Sequence, residues 1–175
     1  MTLPRRRLLA GVGGAAVVGG GWALASDRFE LTETATVDFT VDTIDAPGSS
    51  EGTLSVPTAD RPTLIDFVSV GCAVCRESMP ALRTIYDQHG EAVRFVSLST
   101  DPVGFSVAES SLREWWADHE GAWALGIDRQ LSVAEQLDVS SVPTAVVIDH
   151  HGRVRTRQSG TKTVDKLESL LEPVL

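Results

Sequence analysis

Lysine is nearly missing from this chain. Of 175 residues, only Lys162 and Lys166 are lysines. Asp and Glu number 24 against 15 Lys and Arg, for a formal net charge of −9. All 24 acids follow residue 25, where they face 12 basic residues, so that part carries −12. Such a charge repels nucleic acid and anionic lipid and excludes binding either as the main activity. An acid-rich, lysine-poor surface also suits strong salt. The expectation is a halophilic domain whose carboxylates repel one another when unscreened; a merely acidic, soluble surface is the alternative. Cysteine is the second scarcity, with two in all. That excludes a scaffold stapled by several disulfides and a four-cysteine zinc site. Internal repeats, a long linker and a Gly-rich phosphate loop are also lacking beyond the first 25 residues. What is there is globular: 42% hydrophobic residues, in a length that suits one domain with a sizeable core.

The first 25 residues read as a targeting signal. Arg5, Arg6 and Arg7 precede an uncharged stretch that ends in Ala23-Leu24-Ala25, the layout of a secretory leader. The paired arginines before Leu8-Leu9, and a run rich in glycine, point to the twin-arginine route. The alternative is an uncleaved membrane anchor, since residues 8–25 are 18 uncharged residues, near the lower limit for a span. Either way the folded part is expected outside the cytoplasmic membrane, where disulfides persist. The expected organisation is a signal or anchor at 1–25, a short linker at 26–35 and one domain at 36–175.

Both cysteines lie in Gly71-Cys72-Ala73-Val74-Cys75-Arg76. Two thiols at this spacing close and reopen a disulfide, and a helix N-terminus at Cys72 favours its thiolate, the attacking species. The same spacing is half of many zinc sites, so the surroundings decide. An apolar run at 62–70 predicts a buried strand leading into the pair. Residues 73–89 keep a helical rhythm, interrupted by Pro80, and Gly90 is placed to end the helix. Strands are expected near 36–44, 53–56, 93–99, 142–148 and 153–157, a short extended piece near 123–127, and further helices near 110–120, 131–137 and 163–171. This order describes an α/β sandwich with a mixed sheet. A Cys pair at a strand-to-helix junction is the redox setting of the motif.

Two further features support a redox disulfide. Asp66 lies inside the apolar strand, six residues before Cys72. A buried carboxyl rises in pKa unless paired and is suited to exchange the proton that Cys75 gains or loses. Pro143, in Val142-Pro143-Thr144, precedes a strand where a proline costs a ladder hydrogen bond. A cis bond there turns the backbone towards the cysteines and leaves main-chain groups for an incoming peptide. Gly71, Val142 and Thr144 are therefore candidates for substrate contact.

These residues, together with Met79-Pro80-Ala81-Leu82 and Ile148-Asp149…Gly152-Arg153-Val154, resemble the thioredoxin fold. More narrowly, they are similar to the exported TlpA/ResA-like thiol–disulfide oxidoreductases, over about residues 36–172. The resemblance implies a thioredoxin-like sandwich with an N-terminal strand or hairpin and a helical insert at 101–128. It implies Cys72 as attacking thiol, Cys75 as resolving thiol, Asp66 as proton carrier and Pro143 as the cis proline facing the disulfide. It implies no cofactor, and protein partners bearing thiols or disulfides, such as an exported apocytochrome or copper protein. Three positions depart from the pattern: Gly71 stands where tryptophan is usual, Val74 where proline is common, and Ser78 where an acid is expected, the acid lying at Glu77.

A Cu(I)-binding metallochaperone is the alternative, because two thiolates hold a soft ion. A peroxiredoxin-like peroxidase is weaker, since residues 67–71 lack the Pro and Thr that its reactive cysteine needs. Trp115, Trp116 and Trp123 are expected in the core. His150-His151 is expected to be a solvated turn, and no resident metal is assigned.

Overall fold

The structure, a computed structural model, describes residues 36–175. The leader and the linker lie outside the described residues. The chain runs β1 (Phe39–Thr43), β2 (Gly52–Val56), β3 (Thr63–Val68), α1 (Ala73–His89), β4 (Arg94–Ser99), α2 (Glu109–Asp118), β5 (Ala124–Ile127), α3 (Ser132–Gln136), β6 (Thr144–Ile148), β7 (Val154–Ser159) and α4 (Val164–Leu171). The seven strands form one mixed sheet in the order β2-β1-β5-β4-β3-β6-β7. β3, β4 and β5 are parallel neighbours, while β6 runs antiparallel to β3 and β1 antiparallel to β5.

Side-chain alternation explains the layers. β3 is buried along its whole length, as a central strand covered on both faces must be. Leu64 and Val68 point into a core built with Cys75, Met79, Leu82 and Ile85 of α1, Leu112, Trp115 and Trp116 of α2, and Leu167, Leu170 and Leu171 of α4. Ile65 and Phe67 point to the opposite core, with Val133 and Ala134 of α3. The apolar positions of α1 recur every three or four residues, which is the stripe that a helix lays on a sheet. α1 continues through Pro80 as one helix and ends at Gly90. A Cβ at Gly90 would stand 2.7 Å from the Tyr86 carbonyl oxygen, so close approach of the chain requires glycine there.

The insert contributes more than a helix. Its last residues form β5, which lies between β4 and β1 and so joins the N-terminal hairpin to the sheet. Trp116 and Trp123 meet edge to face at 5.0 Å. Trp116 donates to the Pro47 carbonyl and Trp123 to Ser97 Oγ, both at 2.9 Å. The three insert tryptophans are buried, as expected for core residues. Gly48, beside Pro47, has φ of +73°, and a Cβ there would stand 2.0 Å from the Ala122 carbonyl carbon. Gly48→Ala is expected to destabilise the domain by about 1–3 kcal/mol through strain and overpacking. A urea midpoint equal to that of the unaltered protein would contradict this packing.

Candidate active site

β3, β4 and β6 bring three turns to one edge of the sheet. β3 ends at Val68, and residues 69–71 lead to Cys72, whose N–H donates to the Ser69 carbonyl at 3.1 Å. Cys72 is the N-cap of α1, in extended backbone geometry. The Cys75 N–H donates to Cys72 Sγ at 3.0 Å. Cys72 and Cys75 are joined as a disulfide with their Cα atoms 5.2 Å apart. Cys72 is half-buried, whereas Cys75 is 1% exposed. When the bond opens, the helix N-terminus and the Cys75 amide both favour charge on the outer sulfur.

Asp101 fastens the turn that carries Cys72. Its carboxylate accepts from Ser69 Oγ at 2.6 Å, from the Val70 N–H at 2.9 Å and from Ser99 Oγ at 2.9 Å. The Asp101 N–H donates to Ser99 Oγ in return. In sequence this residue marks only the start of the insert, as Asp101-Pro102. Its partners Ser69 and Val70 lie about 30 residues earlier, in the turn after β3, so no local signal reveals them.

The Val142–Pro143 bond is cis, and so is Val56–Pro57, which no sequence pattern singles out. Thr144 pairs with Phe67 across the β3–β6 ladder. Pro143 therefore lies beside the end of β3, at the edge that holds the cysteines. Val142 is half-buried and Gly71 is exposed. Thr144 is buried, and its hydroxyl donates to the Ser141 carbonyl at 2.7 Å and lies 2.9 Å from Ser159 Oγ, so the side chain supports the loop from within. A groove of about 360 Å³ adjoins Val142, floored by Thr100, Leu131, Ala134 and Val139. A Cβ at Gly71 would meet nothing closer than 4.0 Å, so sterics do not demand glycine there.

Asp66 is 1% exposed, in the middle of β3. It has a partner that sequence reasoning missed. Lys162, fully buried in the segment before α4, brings Nζ to 3.0 Å from Asp66 Oδ1. The contact is ionic rather than directional, because neither atom has a hydrogen-bond partner of good geometry. Burial pushes the Asp66 carboxyl above the ordinary carboxylate range, and the Lys162 ammonium opposes that rise. Ser78, at the position where an acid is expected, is buried on α1. Its hydroxyl donates to the Val74 carbonyl at 2.8 Å and accepts from the Lys162 N–H at 3.1 Å. Glu77 is exposed. Among the described residues no three His, Cys, Asp or Glu side chains converge, so an ion at the cysteine pair would rest on two thiolates alone.

The Redoxin family model matches residues 33–171. The chain belongs to the Redoxin family. It is 25% identical over 116 residues to the thiol-disulfide oxidoreductase YkuV of Bacillus subtilis, a match covering 66% of this chain and 78% of that protein. It is 22% identical over 111 residues to the thiol-disulfide oxidoreductase ResA of Bacillus cereus, covering 63% of this chain and 61% of the relative. Among solved structures, StoA from Bacillus subtilis superposes with a TM-score of 0.64 at 17% identity, over 78% of this chain and 97% of that one. The exposed lipoprotein thioredoxin Etrx1 of Streptococcus pneumoniae gives 0.65 at 18% identity, over 79% and 100%. The fold is thioredoxin-like, and with its Cys72–Cys75 disulfide this Redoxin is a thiol–disulfide oxidoreductase.

Asp101→Ala would leave the Val70 amide and two serine hydroxyls without their acceptor. The expected loss is about 2–3 kcal/mol, typical of hydrogen bonds to a charged group. Urea unfolding of the oxidised variant measures it, and a loss below about 0.5 kcal/mol would show that Asp101 does not hold the turn.

Proposed function

We propose that this oxidoreductase acts outside the cytoplasmic membrane, exchanging its Cys72–Cys75 disulfide with thiols and disulfides of other exported proteins. The observation that carries the division of roles is the asymmetry of the pair. The half-buried Cys72 receives the Cys75 N–H on its sulfur, while Cys75 is closed off beneath it.

In the reducing direction the Cys72 thiolate attacks a substrate disulfide. One substrate sulfur leaves as thiolate and the other stays bonded to Cys72. Cys75 then gives its proton to Asp66, and its thiolate attacks Cys72 Sγ. The second substrate sulfur departs, the Cys72–Cys75 bond closes, and two electrons have passed to the substrate. Run backwards, the same steps oxidise a dithiol. The cis Val142–Pro143 segment and Gly71 would border the incoming peptide, with the groove beside Val142 taking its flanking residues.

The export reading rests on Arg5 to Arg7, the uncharged stretch that follows and the Ala23-Leu24-Ala25 end, all outside the described residues. Among the described residues no helix is long and apolar enough to cross a membrane. An exported apocytochrome or copper protein is the substrate class that we favour.

Cys75→Ser is expected to accumulate covalent complexes on Cys72 that reductant releases, and Cys72→Ser to accumulate none. Equal trapping by both variants would overturn the roles. The excess of carboxylates further leads us to expect that helical circular dichroism weakens in dilute buffer and returns in molar salt. A spectrum independent of salt would remove the halophilic reading.

A further inference from the structure

We propose that Lys162 is a positioning residue for thiol exchange: its ammonium keeps Asp66 able to receive the Cys75 proton, and its backbone ties that carboxylate to the turn between the cysteines. The proposal rests on Asp66 being the proton carrier, as set out above.

The physical case begins with cost. Lys162 is 2% exposed as a residue and its side chain is fully covered. An ammonium taken out of water loses hydration that one ion pair rarely returns in full, and an apolar side chain of similar length would fill the space at lower cost. The position is unfavourable a second time. Lys162 immediately precedes Thr163, the N-cap of α4, where the helix dipole opposes positive charge. A buried cation at the positive end of a helix is therefore poorly explained as a stabilising device.

Its connections suit a different role. Nζ lies 3.0 Å from Asp66 Oδ1. At the other end of the same residue, the Lys162 N–H donates to Ser78 Oγ, which in turn donates to the carbonyl of Val74, between the two cysteines. One residue thus contacts the carboxylate through its side chain and the active-site turn through its backbone.

The neighbours of Asp66 supply no other charge. Ladder pairing aligns Ser97 of β4, Asp66, Ala145 of β6 and Gln158 of β7 in one row across the sheet. Above that face α1 presents Cys75 and Ser78, and α4 presents Leu167, Leu170 and Leu171. The charged residues of these helices near the site, Arg76, Glu77, Asp165 and Lys166, are exposed or half-buried. Among the described residues the Lys162 ammonium is the charge that acts on Asp66. Burial favours the protonated carboxyl, which cannot take a proton from Cys75. The ammonium favours the ionised one, which can. Without it, Asp66 stays protonated to higher pH, and resolution of the mixed disulfide moves to more alkaline solution.

The test uses the reduced full chain and dithiobis(nitrobenzoate). Attack by Cys72 releases one coloured thiolate, and resolution by Cys75 releases the second. Lys162→Met is expected to slow the second release at neutral pH by at least about tenfold, with partial recovery at alkaline pH, and to leave the first unchanged. Lys162→Arg, which keeps the charge, should behave like the unaltered protein. The infrared carboxyl band that Asp66→Asn removes should persist to higher pH in Lys162→Met. A Lys162 role confined to stability would lower the urea midpoint without moving either pH profile, and that outcome overturns the inference. If Lys162→Met does not fold, Lys162→Gln is measured in the same way. Normal resolution in Asp66→Asn would overturn the proton-carrier role itself. Slow resolution in Asp66→Asn with an unmoved profile in Lys162→Met would overturn the Lys162 proposal alone.

Discussion

A carboxylate in the middle of the central strand is the constraint around which this site is arranged. Asp66 cannot reach water from β3, so its charge must be neutralised by a proton or matched by a cation. The fold brings two ionisable groups towards it from different directions. Cys75 enters the same core from α1, and Lys162 enters from the segment before α4. The space they enter is lined by apolar side chains together with buried Ser78, Ser97 and Gln158. The electrostatics there are strong because the surroundings are dry.

The remaining parts serve the edge of the sheet where that strand ends. The turn after β3 must hold Cys72 at a helix N-terminus, and it has few side chains with which to do so. Ser69 and Val70 are fixed by Asp101 from the end of β4. The loop before β6 is fixed by Thr144 and by Gly160, whose N–H donates to the Pro143 carbonyl at 2.9 Å. Catalytic groups at the ends of buried strands, held by short polar contacts, are how a rigid sheet lends precision to exposed loops.

Much of this was legible in residue order. The apolar run at 62–70, the stripe from Cys75 to Ile85 and the Pro-Thr step before an apolar strand are local patterns that tertiary contacts reinforce. The buried state of Asp66 followed from apolar neighbours on both sides. Its partner did not. Gly160-Thr161-Lys162-Thr163 reads as a polar turn before a helix, and the pairing spans 96 residues of sequence. The same holds for Asp101, which reads as a turn residue before proline. Residues 123–127 read only as a short extended piece, since a four-residue strand is recognised by its neighbours rather than by its own pattern, yet as β5 they connect the hairpin to the sheet. Non-local polar contacts are the part of this site that sequence alone conceals.

The departures at the cysteine motif gain meaning from the same geometry. Ala73 and Val74 offer neither charge nor imidazole to the Cys72 thiolate. What the sulfur receives is the Cys75 amide and the end of α1. These are backbone groups with no titration of their own near neutral pH, so they act on the outer thiol equally across that range. The titratable partner in the proposed mechanism is instead Asp66, buried on β3. On the roles proposed above, attack by Cys72 and resolution by Cys75 would answer to different physics. The first would depend on fixed dipoles of the fold, and the second on the balance at Asp66 between burial and the Lys162 ammonium.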